Sequence, residues 1–98
     1  MTIEKSIENG KALYRVEGRL DTTTAPDMEN ALKADMDGIT ELTMDFSKLD
    51  YISSAGLRVL LSAHKAMGKK GGMKVVNVNE IVREVFDITG FADILDIE

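Results

Sequence analysis

Ninety-eight residues suit one compact domain, predicted to span 1–98, and a chain of this length buries only about 60 to 65% of the surface its unfolded form exposes. Apolar residues at 44% and charged residues at 30% are near globular averages, which argues against a disordered tail or a coiled coil. The net charge of -5 disfavours nucleic acid and anionic membrane surfaces as partners. Without Cys there are no disulfides, no thiolate chemistry and no Cys-built metal centre, which leaves His64 as the one imidazole available to a metal.

In chain order, Ile3–Ile7 and Ala12–Glu17 are β-type runs flanking Glu8-Asn9-Gly10-Lys11, and Asn-Gly between extended segments is a strong signal for a tight hairpin. Thr22-Thr23-Thr24 then precedes Ala25-Pro26-Asp27. With Thr24 as cap and Asp27 three residues on, the pattern predicts a capping box at the start of a helix carrying Met28, Ala31, Leu32 and Met36, stopped by Asp37-Gly38. Leu42, Met44 and Phe46 alternate with Glu41, Thr43 and Asp45, which predicts a strand over 41–46 with one buried face. Helical spacing returns through Leu57, Leu60, Leu61 and Met67 and ends at Gly68. Met73–Val78 is the next predicted strand. Asn79 is placed to cap a helix bearing Ile81, Val82, Val85, Phe86 and Ile88, stopped by Gly90, and Ile94–Ile97 is a last short strand. The order β-β-α-β-α-β-α-β predicts an α/β fold: a mixed sheet opened by an antiparallel hairpin, with parallel strands after it.

The richest segment joins the central strand to the central helix through Asp50-Tyr51-Ile52-Ser53-Ser54-Ala55-Gly56-Leu57, at the end of the sheet where open α/β folds collect their sites. With Ser53 as N-cap, Ile52 and Leu57 occupy the two positions of a hydrophobic staple. With Ser54 as cap the pair would be Ser53 and Arg58, which cannot form one. Ser53 is therefore the expected cap, and the Ser54 hydroxyl is left over. The competing reading is that both serines merely start a helix, as serine often does. Catalysis through Ser54 and His64 is excluded, because ten helical residues separate them by roughly 15 Å. Asp21, Asp45 and Asp50 raise the question of an acidic metal or phosphoacceptor pocket, but they read more simply as loop carboxylates. Gly68-Lys69-Lys70-Gly71-Gly72 follows a helix and precedes a strand, the reverse of a phosphate loop.

Several segments together resemble the STAS domain, in the small single-domain branch of bacterial anti-sigma factor antagonists. They are Gly18-Arg19-Leu20-Asp21, Asp45-Phe46-Ser47 with Leu49 and Tyr51-Ile52, Ser54 with Gly56-Leu57, Gly71-Gly72, Val85-Phe86 and Gly90-Phe91. The resemblance implies a protein without catalysis of its own that, when unphosphorylated, binds a kinase-type anti-sigma factor and frees the sigma factor. It also implies that the kinase, using its own ATP and Mg, phosphorylates one serine, which a PP2C-type phosphatase restores. The acceptor position falls on Ser54, with Ser53 as a minor rival. Ser53 stands where the family commonly has Asp, and Ala55 replaces a second hydroxyl residue. Partner-binding residues implied in this way are Asp21, Thr22, Thr23, Ser53, Ser54, Ala55, Gly56 and Arg58. No cofactor or metal, no nucleic acid and no membrane insertion are expected of a cytoplasmic chain that is monomeric when free. Since STAS domains also serve transporter and lipid-transport assemblies, an accessory subunit binding a small ligand is the alternative. Truncating Asp21 in its loop removes no core volume, so Asp21→Ala is expected to affect partner binding more than melting temperature.

Overall fold

A computed structural model describes residues 1–98. Five strands lie side by side in sequence order: β1 (Thr2–Glu8), β2 (Lys11–Leu20), β3 (Glu41–Ile52), β4 (Met73–Val76) and β5 (Asp96–Ile97). β1 and β2 are antiparallel, and every later neighbour is parallel. The hairpin is closed by Asn9 and Gly10 at φ 52° and 80°, the left-handed pair that a two-residue turn between twisted strands requires. Parallel pairing forces each return through a helix: α1 (Ala25–Asp35) between β2 and β3, α2 (Ser54–Met67) between β3 and β4, and α3 (Glu80–Thr89) between β4 and β5.

All three helices serve one face of the sheet. Ala12, Tyr14 and Val16 of β2, Leu42, Met44 and Phe46 of β3, and Met73 and Val75 of β4 share a face by register and are buried. Arg15, Glu17, Thr43, Asp45 and Lys74 alternate with them and remain open to solvent to differing degrees. The fold is thus two layers with a polar outer sheet face, and the burial of large side chains such as Phe46, Phe86, Leu60 and Met67 between the layers drives its formation.

The central strand is twice the length predicted. Its alternation stops at Phe46 because β3 has two residues between Asp45 and Lys48 where β2 has one between Arg15 and Glu17, and a second residue is inserted at Asp50 between the Gly18–Leu49 and Arg19–Tyr51 pairs. Each inserted residue turns the inward set by one position, so the buried side chains Phe46, Leu49 and Ile52 fall three apart.

Smaller departures have local causes. The predicted capping box does not form: Thr24 makes no side-chain cap and Asp27 no return bond, because Asp21 has taken the capping role from three residues upstream. Helix α1 ends at Asp35 and tightens into a 3-10 turn over Met36–Gly38. β4 stops at Val76, where Asn77 turns to φ 58°, and Phe91–Asp93 forms a 3-10 turn that shortens the last strand to Asp96–Ile97. On α3, Val82 and Phe86 face the core while Ile81 and Ile88 point outward, and on α2 Leu61 is only partly buried. No helix is long and apolar enough to cross a membrane.

Candidate functional site

The site is the junction where β2 and β3 end and α1 and α2 begin. Ser53 is the one residue between β3 and α2; its extended backbone (φ -100°, ψ 176°) turns the chain, and its amide donates to Leu20 O at 2.9 Å, locking the end of β3 to the end of β2. Its hydroxyl accepts the Gly56 amide at 3.4 Å, the expected N-cap, while Leu57 N bonds Ser53 O at 2.9 Å. Ile52 and Leu57 are both buried, as the staple spacing requires. Ser54, the first helical residue, is exposed and its hydroxyl makes no hydrogen bond.

Gly56, counted among the partner-binding residues on the strength of the resemblance, is buried and turned inward. A Cβ there would stand 2.8 Å from Ile52 Cγ1, 2.8 Å from Leu20 Cγ and 2.9 Å from Leu20 O, so its hydrogen side chain is what lets α2 begin directly against the two strand ends. It sets the height at which Ser53 and Ser54 stand.

The neighbouring loop is built around Asp21. Its Oδ1 accepts the amides of Thr23 at 3.0 Å and Thr24 at 3.1 Å, and its own amide donates to Thr24 Oγ1 at 2.9 Å, while Thr24 Oγ1 donates to Arg19 O at 2.8 Å. The Thr24 amide, with help from Thr23 and Arg19, holds the Asp21 carboxyl below its ordinary range despite an opposing contribution from desolvation. Thr22 and Thr23 stand exposed on this turn. Thr22, Ala55 and Arg58 line the mouth of a 390 Å³ groove between α1 and α2, so the structure brings these three together beside Ser54. Arg58 makes no ion pair.

A feature that sequence patterns did not reveal lies on the other side of the strand ends. Arg19 and Tyr51 are cross-strand partners on the open face, the Arg19 Cζ sits 4.3 Å from the Tyr51 ring centroid, and Arg19 Nε is 3.6 Å from Asp21 Oδ2. Without the insertion at Asp50 the residue opposite Arg19 would be Asp50, and no spacing rule reports that bulge. No three His, Asp or Glu side chains converge anywhere on the chain as metal ligands would.

An exposed, unbonded serine at a helix start, backed by a buried glycine and flanked by a capped acidic loop, sits on a mixed sheet whose sequence matches the STAS domain family over residues 2–98. The chain belongs to the STAS domain family. BtrV of Bordetella bronchiseptica, named for the anti-sigma factor antagonists, is 35% identical over 91 residues, covering 91% of this chain and 78% of that protein. The anti-sigma-B factor antagonist of Bacillus subtilis is 32% identical over 83 residues, covering 84% of this STAS chain and 76% of its own length. Among solved structures, the anti-sigma factor antagonist from Mycobacterium paratuberculosis superimposes with a TM-score of 0.88 at 28% identity, over 98% of this chain and 83% of the other.

Proposed function

We propose that this STAS protein is an anti-sigma factor antagonist that binds a kinase-type anti-sigma factor in the cytoplasm, frees the sigma factor, and is switched off by phosphorylation of Ser54. The observation that carries the choice of residue is the division of labour at the start of α2: Ser53 Oγ is occupied by the Gly56 amide, whereas Ser54 Oγ is exposed and bonded to nothing. In the transfer, Ser54 Oγ bonds to the γ-phosphorus of ATP held by the kinase, the bond to ADP breaks, and the hydroxyl proton passes to a base of the kinase. ATP and Mg belong to the partner, and this chain contributes the acceptor.

The added group carries roughly -1.5 to -2 charges at a helix N-terminus, where unpaired amides and the helix dipole favour an anion, so the fold tolerates it. A partner surface pressed over Ser54 does not, because removing that charge from water without a counter-charge costs several kcal/mol. Arg58, four residues along the same face and free of an ion pair, is placed to meet either the phosphate or an acidic group of the partner. Asp21, Thr22, Thr23 and Ala55 complete the contact surface, and a PP2C-type phosphatase resets the switch.

The test is a pull-down with the kinase-type anti-sigma factor of the same genome and ATP, read together with mass spectrometry. Wild type is expected to be phosphorylated at Ser54 and released, Ser54→Ala to stay bound, and Ser54→Asp to bind weakly. Equal binding of all three removes the switch. A chain that binds a small ligand and never gains phosphate belongs instead with the accessory STAS subunits.

A further inference from the structure

We propose that Arg19 and Tyr51 form a preorganised anchor that grips an acidic side chain of the anti-sigma partner, extending the interface around the strand ends onto the open face of the sheet. This rests on the partner-binding reading above. Arg19 is held from two directions: its guanidinium lies over the Tyr51 ring at 4.3 Å, and Nε faces Asp21 Oδ2 at 3.6 Å. None of its nitrogens donates a hydrogen bond to this chain, and its side chain is 61% exposed. Tyr51 is itself 36% exposed, and its hydroxyl is unbonded.

A guanidinium fixed in place with its terminal nitrogens free is suited to two parallel hydrogen bonds with a carboxylate, at a smaller ordering cost than a loose arginine would incur. Arginine and tyrosine are also the residue types that most often dominate interface energies. The bulge at Asp50 interrupts the ladder and has the effect of placing Tyr51, rather than Asp50, opposite Arg19.

Two points select the occupant. Arg58 makes no ion pair, and Arg19 meets Asp21 only through Nε at 3.6 Å, so both cations keep donors for a carboxylate of the partner on a chain whose net charge is -5. Continuity is supplied by Asp21, whose Oδ1 holds the threonine turn beside Ser54 while its Oδ2 faces Arg19, so a partner seated on that turn reaches the anchor. The Ser54 phosphate is the less suitable occupant, because Ser54 starts a helix on the covered face whereas Arg19 and Tyr51 lie on the open one.

Affinity for the kinase-type anti-sigma factor of the same genome, with ADP to prevent transfer, is measured by calorimetry beside thermal melts of each variant. Arg19→Ala is expected to weaken binding about tenfold or more, and Arg19→Lys nearly as much because it loses the fork and the stack. Tyr51→Ala is expected to weaken binding, Tyr51→Phe to preserve most of it, and all four variants to melt near wild type. Wild-type affinity in Arg19→Ala, or an affinity loss explained by unfolding, overturns the anchor. So does an Arg19→Ala variant that binds normally but is no longer released on phosphorylation, since Arg19 would then read the phosphate. Ser54→Asp is measured in parallel: if it is released while Arg19→Ala binds normally, only the anchor fails, and if wild type does not bind, the partner reading fails with it.

Discussion

Adding one methyl group at Gly56 tests the architecture of the site most directly. Carbon contacts are comfortable at about 3.5 to 4.0 Å, so a Cβ at 2.8 Å from both Leu20 Cγ and Ile52 Cγ1 is short by about 0.7 Å or more. The third neighbour, Leu20 O at 2.9 Å, is backbone and is held by the Ser53 amide, so it cannot retreat without breaking the bond that joins the two strand ends. Overpacking of this kind costs about 1 to 3 kcal/mol, and replacing a helical glycine by alanine returns about 0.5 to 1 kcal/mol. The net loss for Gly56→Ala is then centred near about 1 kcal/mol and reaches at most about 2.5 kcal/mol, a central fall of about 4 to 8 °C in melting temperature for a domain of this size. Gly38→Ala is the matched control, since a Cβ there meets nothing within 4 Å, and it is expected to melt at or above wild type. Thermal scans of both variants give the first readout, and the rate of kinase-dependent phosphate incorporation at Ser54 gives the second, which should fall in Gly56→Ala because the start of α2 is displaced. A Gly56→Ala protein that melts at or above wild type and is modified at the normal rate would refute the close approach.

Ser53→Ala is expected to lose roughly 0.5 to 1 kcal/mol, the low end for an N-cap because the 3.4 Å bond is long, and to remain a phosphate acceptor. Ser54→Ala should melt like wild type and accept none, as melts and phosphopeptide mapping will show. Asp21→Ala is expected to lower the melting temperature as well as partner affinity, which corrects the expectation drawn from its loop position, because it removes the acceptor of the Thr23 and Thr24 amides. The folded Asp21 carboxyl titrates below its ordinary value, so its stabilising contribution is present above about pH 4 and disappears as pH falls through the depressed value. Acid titration of stability should therefore show wild type and Asp21→Ala converging at low pH. For Tyr14, burial first and the Asp35 carboxylate second push the phenol well above its usual range, so the unfolded chain releases this proton near pH 10 while the folded one keeps it. Stability is expected to fall above about pH 10 in wild type and more gently in Tyr14→Phe, as measured by urea midpoints across that range.

Features that depend on neighbours in the chain were legible in the sequence. Asn9-Gly10 carried its own turn geometry, Leu42-Met44-Phe46 its buried face, Ser53 its cap with Ile52 and Leu57 as staple, and Asn79 and Gly90 both ends of α3. Each is a local steric or hydrogen-bonding preference acting over a few residues, so the residues alone determine it. The mixed sheet followed because parallel strands need helical returns. The surplus hydroxyl at Ser54 was found in the same way, by elimination within one helix turn.

What the tertiary structure decided depends on pairs distant in sequence. The two insertions in β3 exist only relative to β2, and they alone carry the strand to Ile52, space its buried residues three apart and place Tyr51 opposite Arg19. Asp21 takes the place of Thr24 as the cap because its carboxylate accepts the Thr23 and Thr24 amides while Thr24 Oγ1 bonds back to Asp21 N and Arg19 O, partners that the Thr24 and Asp27 spacing does not include. Gly56 reads in the sequence as a small residue near a helix start; the approach of Leu20, thirty-six positions earlier, makes it the spacer that sets the site. Sequence patterns record the preferences of short segments, whereas register, bulges and close approach are settled when strands pair and the shared core is filled.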